Sequence, residues 1–266
     1  MIRTLRRYLR LYRVFWETCI AREAEFRANF WANLFTNVGW LLFFVLFIKV
    51  LYRNTTAIAG WSEGEALTLT GTFGFVQSLF SLVAYQNLVR LPEQVRLGTL
   101  DFVLTKPVNS QFLASTRYVR LEAIGNVLGS IVVIAYGIRT AELPIGAGNV
   151  ALYLLLVACA LVIYYSVYLA LMTLSFWFVR LENLGVLADM VFHIGRYPTQ
   201  VFGGWPRWFF TYVLPLAFMA TIPTQALYRV PSAGPAVVAV ALAVGSFVAS
   251  AKFWQFGLRF YHSASS

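Results

Sequence analysis

Charge is what this sequence has least of. Of its 266 residues only 12% are Asp, Glu, Lys or Arg, about half the share of an ordinary soluble domain, and that excludes a free-standing soluble fold. Cysteine and histidine occur twice each. Cys19 and Cys159 have neither partner spacing nor neighbouring histidines, so no disulfide framework or metal site is indicated. A GxxxxGK[ST] loop to cradle nucleotide phosphates is missing, as are an HExxH zinc helix and a GxSxG nucleophile elbow. Nucleotide hydrolysis by the P-loop route is thereby excluded, along with the two commonest hydrolase signatures.

What is present is apolar surface. Hydrophobic residues make up 59% of the chain, and span-length apolar stretches run from one end to the other, leaving no room for a separate soluble catalytic domain. These are the marks of an integral membrane protein with a single membrane domain, over 29–266. The net charge of +10 sits in clusters beside the apolar stretches and forms no continuous basic face. Membrane topology explains it better than nucleic acid does. Residues 1–28 interleave Arg3, Arg6, Arg7, Arg10 and Arg13 with Leu5, Leu9, Tyr12, Phe15 and Trp16. That pattern predicts an amphipathic helix lying in the headgroup plane, or packed against its own protein; a removable signal peptide is not expected.

The apolar pattern predicts an all-α polytopic fold with six spans, at about 30–51, 66–85, 112–138, 150–178, 184–202 and 233–256. On the first, Asn29, Asn33 and Asn37 form a polar stripe suited to a helix contact or, secondarily, a polar path. Thr68, Thr70, Thr72, Gly71 and Gly74 on the second, and the Gly125/Gly129 pair on the third, supply small surfaces for close helix approach. The region after residue 183 is harder to read. Asp189, His193 and Arg196 recur at i, i+4 and i+7, and an ionised group at mid-membrane costs about 2.5–3.5 kcal/mol, so they face protein or water if 184–202 spans. Residues 206–227, broken by Pro215 and Pro223, then form a re-entrant hairpin from the outer side. In the alternative, 208–227 is the fifth span and 183–206 lies on the cytoplasmic surface. Six spans gather about fifteen Lys and Arg on the side of both termini and leave about five on the other, which makes the rich side cytoplasmic.

Between the second and third spans lies NLVRLPEQVRLGTLDFVLTKPVNS, residues 87–110. Leu88, Leu91, Val95 and Leu97 fall near helical spacing with Glu93, Gln94 and Arg96 opposite. A short amphipathic helix ending at Gly98 follows. Leu100, Phe102, Val103 and Leu104 then form an apolar knot closed by Lys106-Pro107, unusually apolar for a solvated connector.

With these residues in view, the chain resembles the permease subunits of the ABC-2 class of bacterial ABC exporters, in the branch of small six-span permeases of mostly unknown substrate. The resemblance rests chiefly on Arg96–Asn109, with its Gly-x-Leu-Asp and Lys-Pro-Val-Asn elements. Weaker support comes from Glu25-Phe26-Arg27-Ala28-Asn29-Phe30 and from Gly195-Arg196-Tyr197-Pro198 followed by Pro215 and Pro223. It implies that 87–110 carries a coupling helix docking on a separate ATP-binding subunit through Leu91, Glu93, Arg96, Gly98, Leu100, Asp101, Phe102 and Lys106. Leu100 and Phe102 are the expected apolar anchors. The implied path residues are Asn33, Asn37, Asp189, His193 and Arg196. Two ATP-binding subunits carrying ATP and Mg, and a second permease that is a copy or a paralogue, are the implied partners, with membrane lipids around them in the bacterial cytoplasmic membrane. No cofactor, metal or catalytic residue is implied for this chain. A non-transporting structural or regulatory subunit is the alternative from another class. An intramembrane serine hydrolase built on His193 with Ser130 or Ser246 is remote.

Overall fold

Long apolar runs in a bilayer must satisfy their backbone groups internally, and in the computed structural model they do so as helices. Residues 2–25, 27–178, 183–229 and 232–261 are described, and every regular element among them is helical. Helix α1 (Ile2–Glu25) leads into α2 (Arg27–Tyr52), and α3 (Glu63–Phe80) starts at a reciprocal cap between Ser62 and Glu65. A π turn (Ser81–Tyr85) carries α3 into the short helices α4 (Gln86–Leu88), α5 (Leu91–Arg96) and α6 (Asp101–Leu104). Then come α7 (Ser110–Thr116), α8 (Ala123–Ala141) and α9 (Ala147–Thr173). The chain ends with α10 (Leu184–His193), α11 (Gly204–Trp208), α12 (Thr221–Tyr228) and α13 (Ala233–Leu258). Phe26, the turn around Arg180 and Glu182, and the side chains of Asn29, Asn33 and Asn37 lie outside the described residues.

Five stretches are long and apolar enough to cross a membrane: Leu34–Tyr52, Glu63–Arg96, Ala123–Ala141, Ala147–Phe176 and Ala233–Leu258. A sixth long helix, expected at 184–202, is not among them. Helix α10 has 10 residues, about 15 Å of rise, half the hydrocarbon thickness. It is stopped by Pro198, which holds Tyr197 extended at φ −100° and ψ 145° because its ring excludes the helical conformation from the residue before it. Residues 208–227 are not one helix either: Pro215 breaks them, and α12 has only 8 residues. The turn that follows Pro198 meets the start of α12 instead, with Thr199 N–H donating to Thr221 Oγ1 at 3.4 Å. The expected third span is also shorter, since residues 117–122 separate α7 from α8.

Small residues set the tightest helix contact. A Cβ added to Gly137 of α8 would lie 2.6 Å from Thr68 N and 2.8 Å from the Gly64 carbonyl of α3, and one added to Gly71 would lie 2.9 Å from Ile134 N. Backbone atoms cannot swing aside. Gly125 and Gly129 turn instead toward Leu34 and Leu41 of α2. Gly137→Val is therefore expected to destabilise the α3/α8 pair by about 1–3 kcal/mol or more, read as a lower unfolding midpoint of the purified protein in detergent.

Across the middle, α3, α9 and α10 meet through aromatic rings. Phe80 stacks on Tyr164 at 4.2 Å between centroids, and Tyr164 meets Phe192 at 4.3 Å. This cluster continues without a break into the buried side chains of residues 88–114.

Candidate functional site

The π turn after α3 is where two regions of interest join. Tyr85, its last residue, donates its phenol proton to Asp189 Oδ2 at 2.7 Å, and Tyr168 of α9 reaches Oδ1 at 3.3 Å. A half-buried carboxylate beside aromatic rings needs such donors to offset lost hydration. One turn along α10, the Gln77 amide lies 3.1 Å from His193 Nε2; an amide nitrogen only donates, so the ring nitrogen accepts. One turn further still, the Arg196 guanidinium sits 4.1 Å from the Phe44 ring centroid and 5.4 Å from that of Phe73.

Asp189, His193 and Arg196 all line one cavity of about 780 Å³ bounded by α2, α3, α8 and α10, within the size range of small-molecule sites. Trp40, Phe44 and Phe47 of α2 form its aromatic wall, and Gln77, Ser78 and Ser130 add polar points. Arg120, at the rim nearest α4, pairs with Glu122 at 2.8 Å and donates its backbone N–H to the Leu82 carbonyl at 3.0 Å.

Below the cavity, residues 87–110 fold back against the chain's own helices. Leu88, Leu91, Val95, Leu100 and Val103 are buried in the same apolar cluster as Tyr168, Phe176, Leu184 and Trp254. Asn87 fixes the start: its Nδ2 donates to the Val83 and Tyr118 carbonyls, at 3.0 and 2.8 Å, while its Oδ1 accepts from Tyr118 N at 2.7 Å. Gly98 makes the turn between α5 and α6 at φ +69°, a conformation that residues with a Cβ adopt at a cost. At the far end, Asn109 caps α7 through Phe112 N at 3.0 Å, Arg7 Nη2 donates to the Pro107 carbonyl at 2.8 Å, and Trp254 Nε1 donates to Ser110 Oγ at 3.2 Å. Past α13, burial, and then the neighbouring Asp101, push the Tyr261 phenol up to about 12. Outward-facing residues are Glu93, Arg96, Leu97, Phe102 and Lys106.

A family model described as ABC-2 family transporter protein matches residues 38–265. The chain belongs to the ABC-2 transporter family. It is accordingly a multi-pass membrane permease of the ABC transporter type. No curated protein and no solved structure matches the chain.

In this ABC-2 transporter the residues expected at the coupling segment divide into two sets. Phe102 is 69% exposed, whereas Leu91 and Leu100 are 1% and 0% exposed. Leu100, expected as an apolar anchor for a partner, instead packs into the apolar cluster of its own chain. The reason is helical. Residues 101–104 form one turn, so Leu100 and Val103 point to the core side and Phe102 to the opposite side. Of the expected path residues, Asp189, His193 and Arg196 share the cavity. Asn33 and Asn37 fall on α2, with side chains outside the described residues. Tyr85, Tyr168 and Asn87 have partners 104, 21 and 31 positions away, which no local spacing reveals.

Proposed function

We propose that this permease forms one half of the membrane part of an ABC exporter, coupled through residues 87–110 to a separate ATP-binding subunit present in two copies. A second permease, a copy or a paralogue, supplies the other half. ATP and Mg reside on the ATP-binding subunits. The observation that carries this reading is the mechanical continuity between segment and cavity: Asn87, which brackets the segment, stands two residues from Tyr85, which holds Asp189 in the cavity wall. A segment with its apolar side buried against α9 and α13 moves as one body with the lower ends of those helices. ATP binding then shifts the cavity between two shapes, provided that the ATP-bound subunits bind one shape more tightly than the other.

The reading includes an orientation, with both termini and residues 87–110 in the cytoplasm of a bacterium and the hairpin over 206–227 dipping in from outside. Two features support the hairpin. Asn149 Nδ2, at the start of α9, donates to the Ala226 and Arg229 carbonyls at 2.9 and 2.7 Å, and Tyr228 Oη lies 2.6 Å from Thr68 Oγ1 near the start of α3. Both tie α12 to the helix ends opposite the coupling segment.

The test is co-expression with a candidate ATP-binding subunit, followed by purification, hydrolysis assays and export from vesicles. Stoichiometric co-purification and export that stops when hydrolysis is blocked are expected; a bound subunit with no transport of any cargo would favour the structural or regulatory alternative. Single cysteines at Gly60 and Gly146 are expected to label from outside intact cells and one at Thr99 to stay silent. Cys19 and Cys159 are buried and contribute little background. Labelling at Thr99 would reverse the orientation.

A further inference from the structure

We infer that the cavity between α2 and α10 binds an amphiphile with an anionic headgroup, the head on Arg196 and the tail along the α2 wall. The charges around the cavity single out Arg196. Asp189 is held by Tyr85 and Tyr168, Arg120 is paired with Glu122, and the His193 ring accepts from Gln77. Arg196 has aromatic faces beside it, and no acceptor or carboxylate bonds its guanidinium among the described residues. A guanidinium carries five donors in a fork that matches phosphate and carboxylate oxygens. Cation–π contacts use its faces and leave the in-plane N–H groups to a ligand.

The other half of the ligand follows from the wall. Trp40, Phe44, Phe47, Ile48 and Leu51 present a nearly unbroken apolar surface to the cavity, against which a hydrocarbon tail stays out of water as it does in the bilayer and gains packing contacts. A small hydrophilic anion would leave this surface unused. A cation would meet an unpaired positive charge, and a neutral lipid would leave the Arg196 donors unmet. The inference rests on the export reading only where it calls this ligand the cargo; binding itself does not depend on transport.

The purified chain in phosphatidylcholine nanodiscs is titrated with a fluorescent single-chain alkyl phosphate, and with analogues bearing a hydroxyl or a trimethylammonium head on the same tail. Wild type is expected to bind the phosphate at least about tenfold more tightly than the hydroxyl analogue, the range for a charge-assisted hydrogen bond. Arg196→Gln is expected to erase that preference, Arg196→Lys to keep part of it, and Phe44→Ala to weaken all three ligands. Inorganic phosphate alone is expected not to displace the probe. Equal or tighter binding of the neutral or cationic analogue by wild type would overturn the inference, as would an unchanged preference in Arg196→Gln. Displacement by inorganic phosphate at comparable concentration would overturn it too, since the site would then take the free anion. Should Arg196→Gln fail to fold, the wild-type headgroup series and Arg196→Lys decide. Headgroup-selective binding in a chain that never exports would sink the export reading and leave this one standing.

Discussion

Replacing Phe102 with Ala is expected to weaken binding of the ATP-binding subunit about tenfold or more while leaving the amount of folded permease in the membrane unchanged. The phenyl ring is 69% exposed on a helical turn whose other face is buried, so its removal takes little from the chain's own packing. A Phe side chain moved from water into a partner cleft contributes about 1.5–3 kcal/mol, which corresponds to about ten- to more than a hundredfold in affinity. Leu97, 53% exposed, stands just before the Gly98 turn, and the double variant with Leu97→Ala is expected to lose more. The check is a titration of the purified permease with the ATP-binding subunit, alongside a count of membrane-inserted protein. Loss of both together would make Phe102 a folding residue.

Leu100→Ala is expected to act on folding itself, and with a larger effect. The side chain is fully buried among Leu91, Val103 and the ends of α9 and α13, and truncating a buried Leu to Ala costs about 2–5 kcal/mol through lost burial and the cavity left behind. Folded protein and partner binding then fall together. Asn87→Ala belongs to the same class. It removes three hydrogen bonds at once and leaves Tyr118 N–H and the Tyr118 and Val83 carbonyls without the amide; each buried polar group left unpaired costs about 1–3 kcal/mol. Detergent-solubilised yield and the unfolding midpoint measure both variants. A Leu100→Ala protein of normal stability that has lost its partner would contradict the inward assignment of this residue.

Membrane class and helical content were legible from the apolar runs alone, because a bilayer admits few backbone solutions. The local structure of residues 87–110 was legible as well: Pro92, Gly98 and the amphipathic spacing mark a short helix and its stop, and Gly98 does take the left-handed conformation. The facing of that segment was not. Periodicity says that Leu100 and Phe102 lie on different sides of a turn and is silent on which side the rest of the chain covers. The shape of the region expected as a fifth span was not legible either: apolar runs over 184–202 suggest one long helix, yet Pro198 ends the helical path after about half the hydrocarbon thickness. The polar line of Asp189, His193 and Arg196 was readable from its spacing, whereas the tyrosines that hold the carboxylate come from α9 and the π turn, and only the fold brings them there.

The most direct measurement is site-specific photocrosslinking in membranes that also carry the ATP-binding subunit, with a photoreactive residue placed in turn at positions 102 and 100. Expected is an adduct with that subunit from position 102, lost when the subunit is omitted, and none from position 100, which is covered by the permease itself. No adduct from position 102 in a complex that still assembles, or an equal adduct from position 100, would contradict coupling through this face.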